Sequence, residues 1–454
     1  MQPSRLAVLS FAFLLFVSFS FADTLEVGPG KPFSRIEDAN RRARAGDVVL
    51  VHPLSNGKPY DKVAVYVTQP GIAFRAVPDK PGERVVLSGK DFDYSGVGSI
   101  PRAIFQFNRG ADNCLLEGFE LTAAHNDSHN GAGVRINQAN NVTVRSCLIH
   151  HNDMGIMSNG DGTINSAVNQ LIESCIIREN GDPEEPGYNH NLYLGGASVT
   201  LRACEVAYSL TGHNVKSRAH LTRVMFCYVH HSANREFDLV DAPETALPDS
   251  HALLVGNLII KDPDCKGNRA VIHFGQDGGK EHDGTVYLVN NTVVTPFISP
   301  VVELSSAKAH AYLANNIIYN GFAQANQVLV AVRAGADLSN ASGSHNLLSG
   351  GWSSLPPGFP PAENFIQHRS LPFVDPARQD YHLARFDEFI VNAGLPWADL
   401  PEPLRTWLRM EVRMKDAHYT VYQLDRQYKP PASIEPRIDA GAPDLGAYSY
   451  RPKP

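Results

Sequence analysis

Val144-Arg145-Ser146-Cys147-Leu148-Ile149 decides the fold, because its pattern of apolar residues around a cysteine returns three times. A pattern that returns at periods between about 20 and 50 residues is typical of a solenoid, in which each repeat packs on its neighbours. We therefore predict one stacked coil for each copy. The later copies are Ile172-Glu173-Ser174-Cys175-Ile176-Ile177, Leu201-Arg202-Ala203-Cys204-Glu205-Val206 and Val224-Met225-Phe226-Cys227-Tyr228-Val229.

Asparagine replaces cysteine in the later members of this column. The spacing between members varies while the apolar strand persists, which fits coils whose loops accept insertions. Stacked coils lie about 4.8 Å apart, so an inward asparagine can bond the coils on both sides. We predict an all-β chain folded as a right-handed parallel β-helix with three short strands per coil. The asparagines of the column are Asn257, Asn291, Asn316 and Asn346.

The two ends of the chain predict its export and its boundaries. Arg5 precedes an apolar run from Leu6 to Phe19, and a small-residue pattern ends at Ala22. We expect cleavage after Ala22 and a secreted or periplasmic protein, because the run is too short for a membrane anchor. The predicted organisation is a signal peptide at 1–22, a parallel β-helix at 23–354 and a C-terminal capping region at 355–454. An open solenoid end exposes core, so both ends should be capped. Residues 33–39 and 45–51 resemble the opening of known β-helix proteins, which implies a short helix as the N-terminal cap.

Composition limits the partners of the protein. The formal net charge is −7, so there is no global positive field for nucleic acid, and an anionic ligand needs a local cluster of cations. We expect no membrane partner and a monomer. Export permits disulfides, but small thiols pack well in a core column, so we expect free, buried cysteines.

Outward side chains of the predicted strands form a polar patch. Alternate residues of a strand point to opposite faces, so inward Val215 and Ser217 would leave Asn214, Lys216 and Arg218 outside. Stacking the neighbouring coils gives two predicted outward columns, with His190 and His213 at matched positions just before the strands. The first column is Arg135, Met157, Tyr193, Lys216, Asp238, His273 and Glu303, and the second is Asn191, Asn214 and Glu236.

These residue types suit cleavage of a uronate by elimination. The enzyme must neutralise the carboxylate, remove the proton beside it and protonate the leaving oxygen. Lys216 is the predicted base, with its pKa lowered by adjacent Arg218 or by a bound cation, and His213 is the rival base. Tyr193 or His190 would act as the acid. The residues predicted to bind the substrate are Arg135, Asn191, Asn214, Arg235, Asp238 and His273.

A resemblance adds to this interpretation. Over roughly residues 30 to 350 the chain looks like the pectate-lyase-like β-helix superfamily, and Lys216-Ser217 resembles the catalytic lysine strand of chondroitinase-B-like alginate and dermatan lyases. The resemblance implies an acidic polysaccharide substrate, a lysine that takes the proton, an assisting arginine and a calcium ion. Asn and Glu oxygens suit such a hard cation. The predicted calcium ligands are Asn191, Asn214, Glu236 and Asp238.

Other functions remain open at this point. A uronan C5-epimerase uses almost the same groups as a lyase, and a glycoside hydrolase would use two carboxylates, Asp238 with Glu236 or Asp241. A non-catalytic exopolysaccharide-binding protein would bind the same ligand without cleaving it. Glu236 and Asp238 could also be ion-pair partners of Lys216 and Arg218 across coils instead of metal ligands.

Overall fold

The computed structural model describes residues 22–185, 187–295, 300–320, 327–350, 352–367, 370–408, 410–414, 417–421, 426–439 and 442–451. Strands stack in parallel register on three faces, and a complete coil adds one strand to each face. The chain is a parallel β-helix, as the sequence predicts. Residues 1–21 of the predicted signal peptide lie outside the described residues.

The first face carries the predicted polar patch. Its strands are joined by parallel pairings from the second coil to the last. The strands are Val65–Val67, Ala103–Asn108, Ala132–Asn137, Met154–Asn159, Leu192–Arg202, Val215–Met225, Phe237–Val240, Ile272–Gly275, Val302–Ser305 and Val330–Val332.

The second face continues directly from the first. In two coils one strand of 11 residues, Leu192–Arg202 or Val215–Met225, spans both faces without a break. These long strands stiffen the coils that carry the patch. The other strands of this face are Thr24–Val27, Val48–Val51, Ala73–Ala76, Leu115–Glu117, Thr143–Arg145, Gln170–Glu173, His251–Val255, Gly284–Val289, Ala309–Ala314 and Ala341–Ser344.

The third face is an 11-stranded parallel sheet. Its last strand extends the stacking to residue 367, so the solenoid runs past the predicted boundary at 354. The strands are Val85–Ser88, Phe119–Thr122, Leu148–His150, Ile176–Arg178, Glu205–Ala207, Tyr228–His230, Leu258–Ile260, Thr292–Val294, Ile317–Tyr319, Leu347–Ser349 and Phe365–Gln367.

The predicted cysteine and asparagine column lies at the turn between the second and third faces. All of its members are buried, and all six cysteines of the chain are free, as expected. The amide of Asn291 donates to Asn316 Oδ1 at 3.0 Å and to the carbonyl of Leu254 at 2.7 Å. The preceding residue of each turn adopts a left-handed φ, which asparagine tolerates, and this explains pairs such as Asn290-Asn291.

A short helix covers the first coil. Ile36–Arg42 buries Ile36 and Ala39 against the opening strands, which confirms the predicted N-terminal cap. Asp38 and Glu37 lie in its first turn and arginines in its last, in the order that the helix dipole favours. No helix of the described residues is long and apolar enough to cross a membrane.

The C-terminal segment covers the flank of the solenoid. Outward apolar residues of the third face, such as Leu258 and Ile317, pack against Phe373, Tyr381 and Leu445 of this segment. Burial of this apolar surface holds the segment in place. Its hairpins are Phe373–Asp375 with Asp380–Leu383, Met410–Met414 with Ala417–Val421 and Arg426–Lys429 with Ser433–Pro436. It also contains the helix Glu402–Leu408 and the 3-10 turns Pro376–Arg378 and Trp397–Asp399. Before this segment, Gln327–Val328 pairs with Trp352–Ser354, and 3-10 turns lie at Ser55–Gly57 and Leu338–Asn340.

Candidate active site

The strand register confirms the predicted first outward column. Tyr193 pairs with Met157 on one side and with Lys216 on the other. Lys216 pairs in turn with Asp238, and Asp238 with His273. The same register places Arg135 beside Met157 and Glu303 beside His273. Alternation inside the strands therefore brings the predicted side chains to one face.

Asp238 is the buried centre of this column. Its Oδ1 lies 2.7 Å from His273 Nδ1 and 3.1 Å from Arg235 Nη1. Its Oδ2 lies 3.0 Å from Lys216 Nζ and 3.3 Å from His213 Nε2. Burial alone would raise the pKa of Asp238, but His213, His273 and Lys216 hold it well below its ordinary value. The carboxylate is therefore ionised and already surrounded by donors.

Burial corrects the predicted substrate contacts of Asp238 and His273. Each is about 1% exposed, so neither side chain reaches the surface of the face. His273 Nε2 is bonded to Ser305 Oγ at 2.6 Å, below the surface. Arg235 is also mostly buried, between Asp238 and Glu303. These three residues form a buried hydrogen-bonded layer below the exposed side chains of the site.

Lys216 differs from the prediction in its protonation. Its Nζ lies between Asp238 and the carboxylate of Asp277, 2.8 Å away. Burial alone would lower the pKa of Lys216, but the two carboxylates outweigh burial and raise it. The expected lowering by Arg218 is wrong, because Arg218 is itself neutralised by Asp277. Lys216 is a cation in this state of the site.

Arg218 connects Asp277 to Tyr193. Its Nη2 donates to Asp277 Oδ2 at 2.6 Å, and its Nε donates to Tyr193 Oη at 3.0 Å. Its Nη1 donates to the backbone carbonyl of Asp241. A guanidinium against a phenolic oxygen stabilises the negative charge that the oxygen develops as its proton leaves. The pair is therefore suited to move a proton at Tyr193.

Asp277 was not found by sequence reasoning, and it completes the site. It lies in the loop after Ile272–Gly275, and its side chain is 42% exposed. Asp241, which is buried, fixes this loop by accepting the backbone N–H groups of Asp277, Gly278 and Lys280 at 2.5 to 2.7 Å. Asp241 is thus committed to the loop and not available as a hydrolytic carboxylate.

His190 and His213 are buried and stacked, with ring centroids 5.1 Å apart. Burial lowers the pKa of His213 to about 4, so the ring is neutral at pH 7. Its Nδ1 accepts the backbone N–H of Arg235 at 3.1 Å, which leaves the proton on Nε2 facing Asp238. His213 therefore has no free lone pair for the predicted base role.

His190 repeats this arrangement one coil earlier. Its Nδ1 accepts the N–H of His213 at 3.0 Å, and burial, followed by the charge of His213, lowers its pKa well below the ordinary value. Its ring stacks on Tyr193 at 5.6 Å between centroids. His190 supports the Tyr193 ring and is poorly placed to act as the predicted acid.

The predicted second outward column faces inward. Asn191, Asn214 and Glu236 are fully buried and form a second ladder, in which Asn191 donates to Asn214 and Asn214 to Glu236 at 2.8 and 2.6 Å. They precede the strands, at the turn, where alternation no longer fixes the direction of a side chain. Their amides satisfy the carbonyls of Ala207 and His230 at that turn. Asn152 and Asn180 extend the ladder to earlier coils.

This ladder does not fit the predicted calcium site. The oxygens of Asn191, Asn214 and Glu236 each accept a hydrogen bond within the core, and Asp238 is bound by cations. Burial raises the pKa of Glu236 to about 7, so even its charge is partly lost near neutral pH. In the described part of the chain no three His, Cys, Asp or Glu side chains are grouped to hold a metal ion.

Comparisons with known proteins add no argument for the fold, which is assigned from the strand register. No family model matches the chain, and no curated protein matches it. A crystal structure of pectate lyase Pel9A is 15% identical over 96% of this chain and 98% of that one, with a TM-score of 0.49. A crystal structure of Escherichia coli YbhC is 12% identical over 76% and 88%, with a TM-score of 0.31. The chain is an all-β parallel β-helix, and its candidate site residues are identified from the contacts within this chain and not from a relative.

Proposed function

We propose that the protein is an exported polysaccharide lyase that cleaves a uronate-containing polysaccharide by β-elimination on the first face. The observation that carries the proposal is Asp277. Its half-exposed carboxylate lies between Lys216 and Arg218, at 2.8 and 2.6 Å. The site therefore already binds a carboxylate, and a uronate carboxylate can take its place at no change of charge.

The chemistry follows from this exchange. Lys216 and Arg218 neutralise the uronate carboxylate, which makes the adjacent carbon-bound proton more acidic. Tyr193 Oη, which accepts a hydrogen bond from Arg218 Nε, takes that proton after its own proton has passed to solvent. The bond from carbon to the glycosidic oxygen breaks, a carbon–carbon double bond forms, and protonated Lys216 or solvent supplies the proton to the leaving oxygen. No metal takes part in these steps.

The hydrolase alternative has less support. A glycoside hydrolase needs one protonated and one free carboxylate around the glycosidic bond. Asp238 is ionised and buried among four donors, Glu236 is in the ladder, and Asp241 binds the loop. An epimerase would use the same groups as the lyase and would return the proton to carbon instead of losing the leaving group.

The product distinguishes these functions. The purified protein is incubated with alginate, polygalacturonate, glucuronan and glycosaminoglycans, and the products are followed by ultraviolet absorbance and mass spectrometry. A lyase forms an unsaturated uronate that absorbs in the ultraviolet, with a mass lower than that of the hydrolysis product by one water. Saturated ends on every substrate, or exchange of solvent deuterium without cleavage, would contradict the proposal.

A further inference from the structure

Two arginines lie on the first face before Lys216, Arg135 three coils earlier and Arg102 four coils earlier. Arg135 pairs in register with Gln106 and with Met157, and Arg102 directly precedes the strand Ala103–Asn108. Arg102 Nη2 donates to Asn130 Oδ1 at 2.8 Å, and Arg135 Nη1 lies 3.9 Å from Met157 Sδ. We call Arg102 and Arg135 the distal arginine pair, and Lys216 and Arg218 the lysine–arginine pair.

The distal arginine pair has no carboxylate partner within the part of the chain that the structure describes. Arg102 Nε is buried without a hydrogen-bond acceptor, and the strand that it precedes pairs Ala103 with Ala132, three residues before Arg135. Burial, and then the charge of Arg102, lower the pKa of Arg135. Two partly buried cations that act on each other electrostatically are stabilised when an anion binds between them.

Arginines of the same and the neighbouring coils on the second face are paired. Arg145 Nε lies 2.7 Å from Glu117 on the second face, and Arg75 lies 3.3 Å from the same carboxylate. The missing counter-ion is thus local to the distal arginine pair, since cations further along the same face, such as Arg218, are paired as well. The surface between the distal arginine pair and the lysine–arginine pair is formed by Met157 and Tyr193, which are both partly buried.

We infer that the distal arginine pair binds a second carboxylate of the same polysaccharide. This inference rests on the proposed function, because it places the first carboxylate at the lysine–arginine pair. The register puts three coil steps, about 14 Å, between Arg135 and Lys216. A pyranose unit in an extended glycan is about as long as one coil step, so the second carboxylate belongs to a sugar about three units away. The glycan then runs along the axis of the helix.

Binding of oligomers of defined length tests this subsite. Calorimetry is carried out on the Tyr193→Phe protein, to suppress cleavage, with dimers, tetramers and hexamers of mannuronate, galacturonate and glucuronate. We expect the hexamer of the preferred uronate to bind more tightly than the dimer. Arg135→Gln in the same background should weaken hexamer binding by roughly tenfold or more and remove most of this gain with length. Arg178→Gln, an exposed arginine on the third face, is the control with the same loss of charge.

Each outcome separates the two proposals. An equal loss for dimer and hexamer, or an unchanged hexamer affinity in Arg135→Gln, would overturn the subsite even if the protein is a lyase. A gain with length that depends on Arg135, in a native protein that forms no unsaturated product, would keep the subsite and reject the lyase. Absence of binding to every oligomer would reject both. Thermal unfolding of each variant shows whether the fold is intact.

Discussion

The lysine–arginine pair and the distal arginine pair lie on one face of one solenoid, but they differ in their counter-ions. Lys216 and Arg218 are both bound to Asp277. Arg102 donates to the neutral Asn130 instead. A cationic pair with its own carboxylate must exchange that carboxylate for the ligand, whereas a pair without one gains its first counter-ion on binding. The first arrangement suits a site that must position a group for chemistry, and the second suits simple attachment of a chain.

Removing the cation of the first pair should have the largest effect. Lys216→Ala is expected to lower the rate of formation of unsaturated product by at least about 10²-fold, because the uronate carboxylate loses half of its neutralising charge and the leaving oxygen its proton donor. Asp238 keeps Arg235, His213 and His273, so the variant should still fold. Lys308→Ala, an exposed lysine, is the control. Turnover within a few-fold of the native rate in Lys216→Ala would remove Lys216 from the mechanism.

Removing the carboxylate that binds the lysine–arginine pair should make this pair resemble the distal arginine pair. Asp277→Asn is expected to lower KM for the uronan by roughly three- to tenfold, since the substrate no longer displaces an anion. Asp375→Asn, a carboxylate of similar exposure on the C-terminal segment, should leave KM unchanged. Steady-state kinetics at fixed ionic strength measure both. A higher KM in Asp277→Asn would mean that Asp277 contacts the substrate directly instead of competing with it.

Adding a carboxylate to the second pair should make it resemble the first. Asn130→Asp places a negative oxygen 2.8 Å from Arg102 with almost no change of shape. We expect affinity for a uronate hexamer to fall by roughly two- to fivefold and affinity for the dimer to stay the same. Calorimetry with the two oligomers measures the difference. An equal change for both lengths would show a general charge effect and not a local one.

Of these changes, removing divalent cations should have the smallest effect on activity. Three of the predicted calcium ligands are used in the buried ladder, and the fourth, Asp238, is bound by cations. The lysine–arginine pair supplies the positive charge. Activity in excess chelator is therefore expected to equal activity with added calcium. Loss of activity in chelator, restored by calcium, would show that the substrate carboxylate is neutralised by a metal that this account omits.

Periodic features of the chain could be predicted from the sequence. The cysteine and asparagine column was predicted because one type of residue returns once per coil, and the structure continues it to Asn364. The column from Arg135 to Glu303 was predicted because its residues lie inside strands, where alternation holds. Neither prediction required knowledge of the loops.

The predictions were wrong or incomplete where the chain leaves its strands. Asn191 and Asn214 lie at a turn, so counting alternate positions assigned them to the wrong side. Asp277 follows Lys216 by 61 residues and reaches it through a loop, without any periodic signal. Its effect on the pKa of Lys216 could not be predicted without its position. The repeated His-Asn steps, at His151-Asn152, His190-Asn191 and His213-Asn214, are the signal that could have identified this ladder.

A crystal structure of the Tyr193→Phe protein with a bound uronate tetramer would show directly whether the lysine–arginine pair binds the uronate carboxylate. We expect a uronate carboxylate between Lys216 Nζ and the guanidinium of Arg218, with Asp277 displaced from the position that it now holds at 2.8 and 2.6 Å from these groups. The glycan should extend past Met157 towards Arg135. A tetramer bound on another face, with Asp277 still in place between Lys216 and Arg218, would contradict the account.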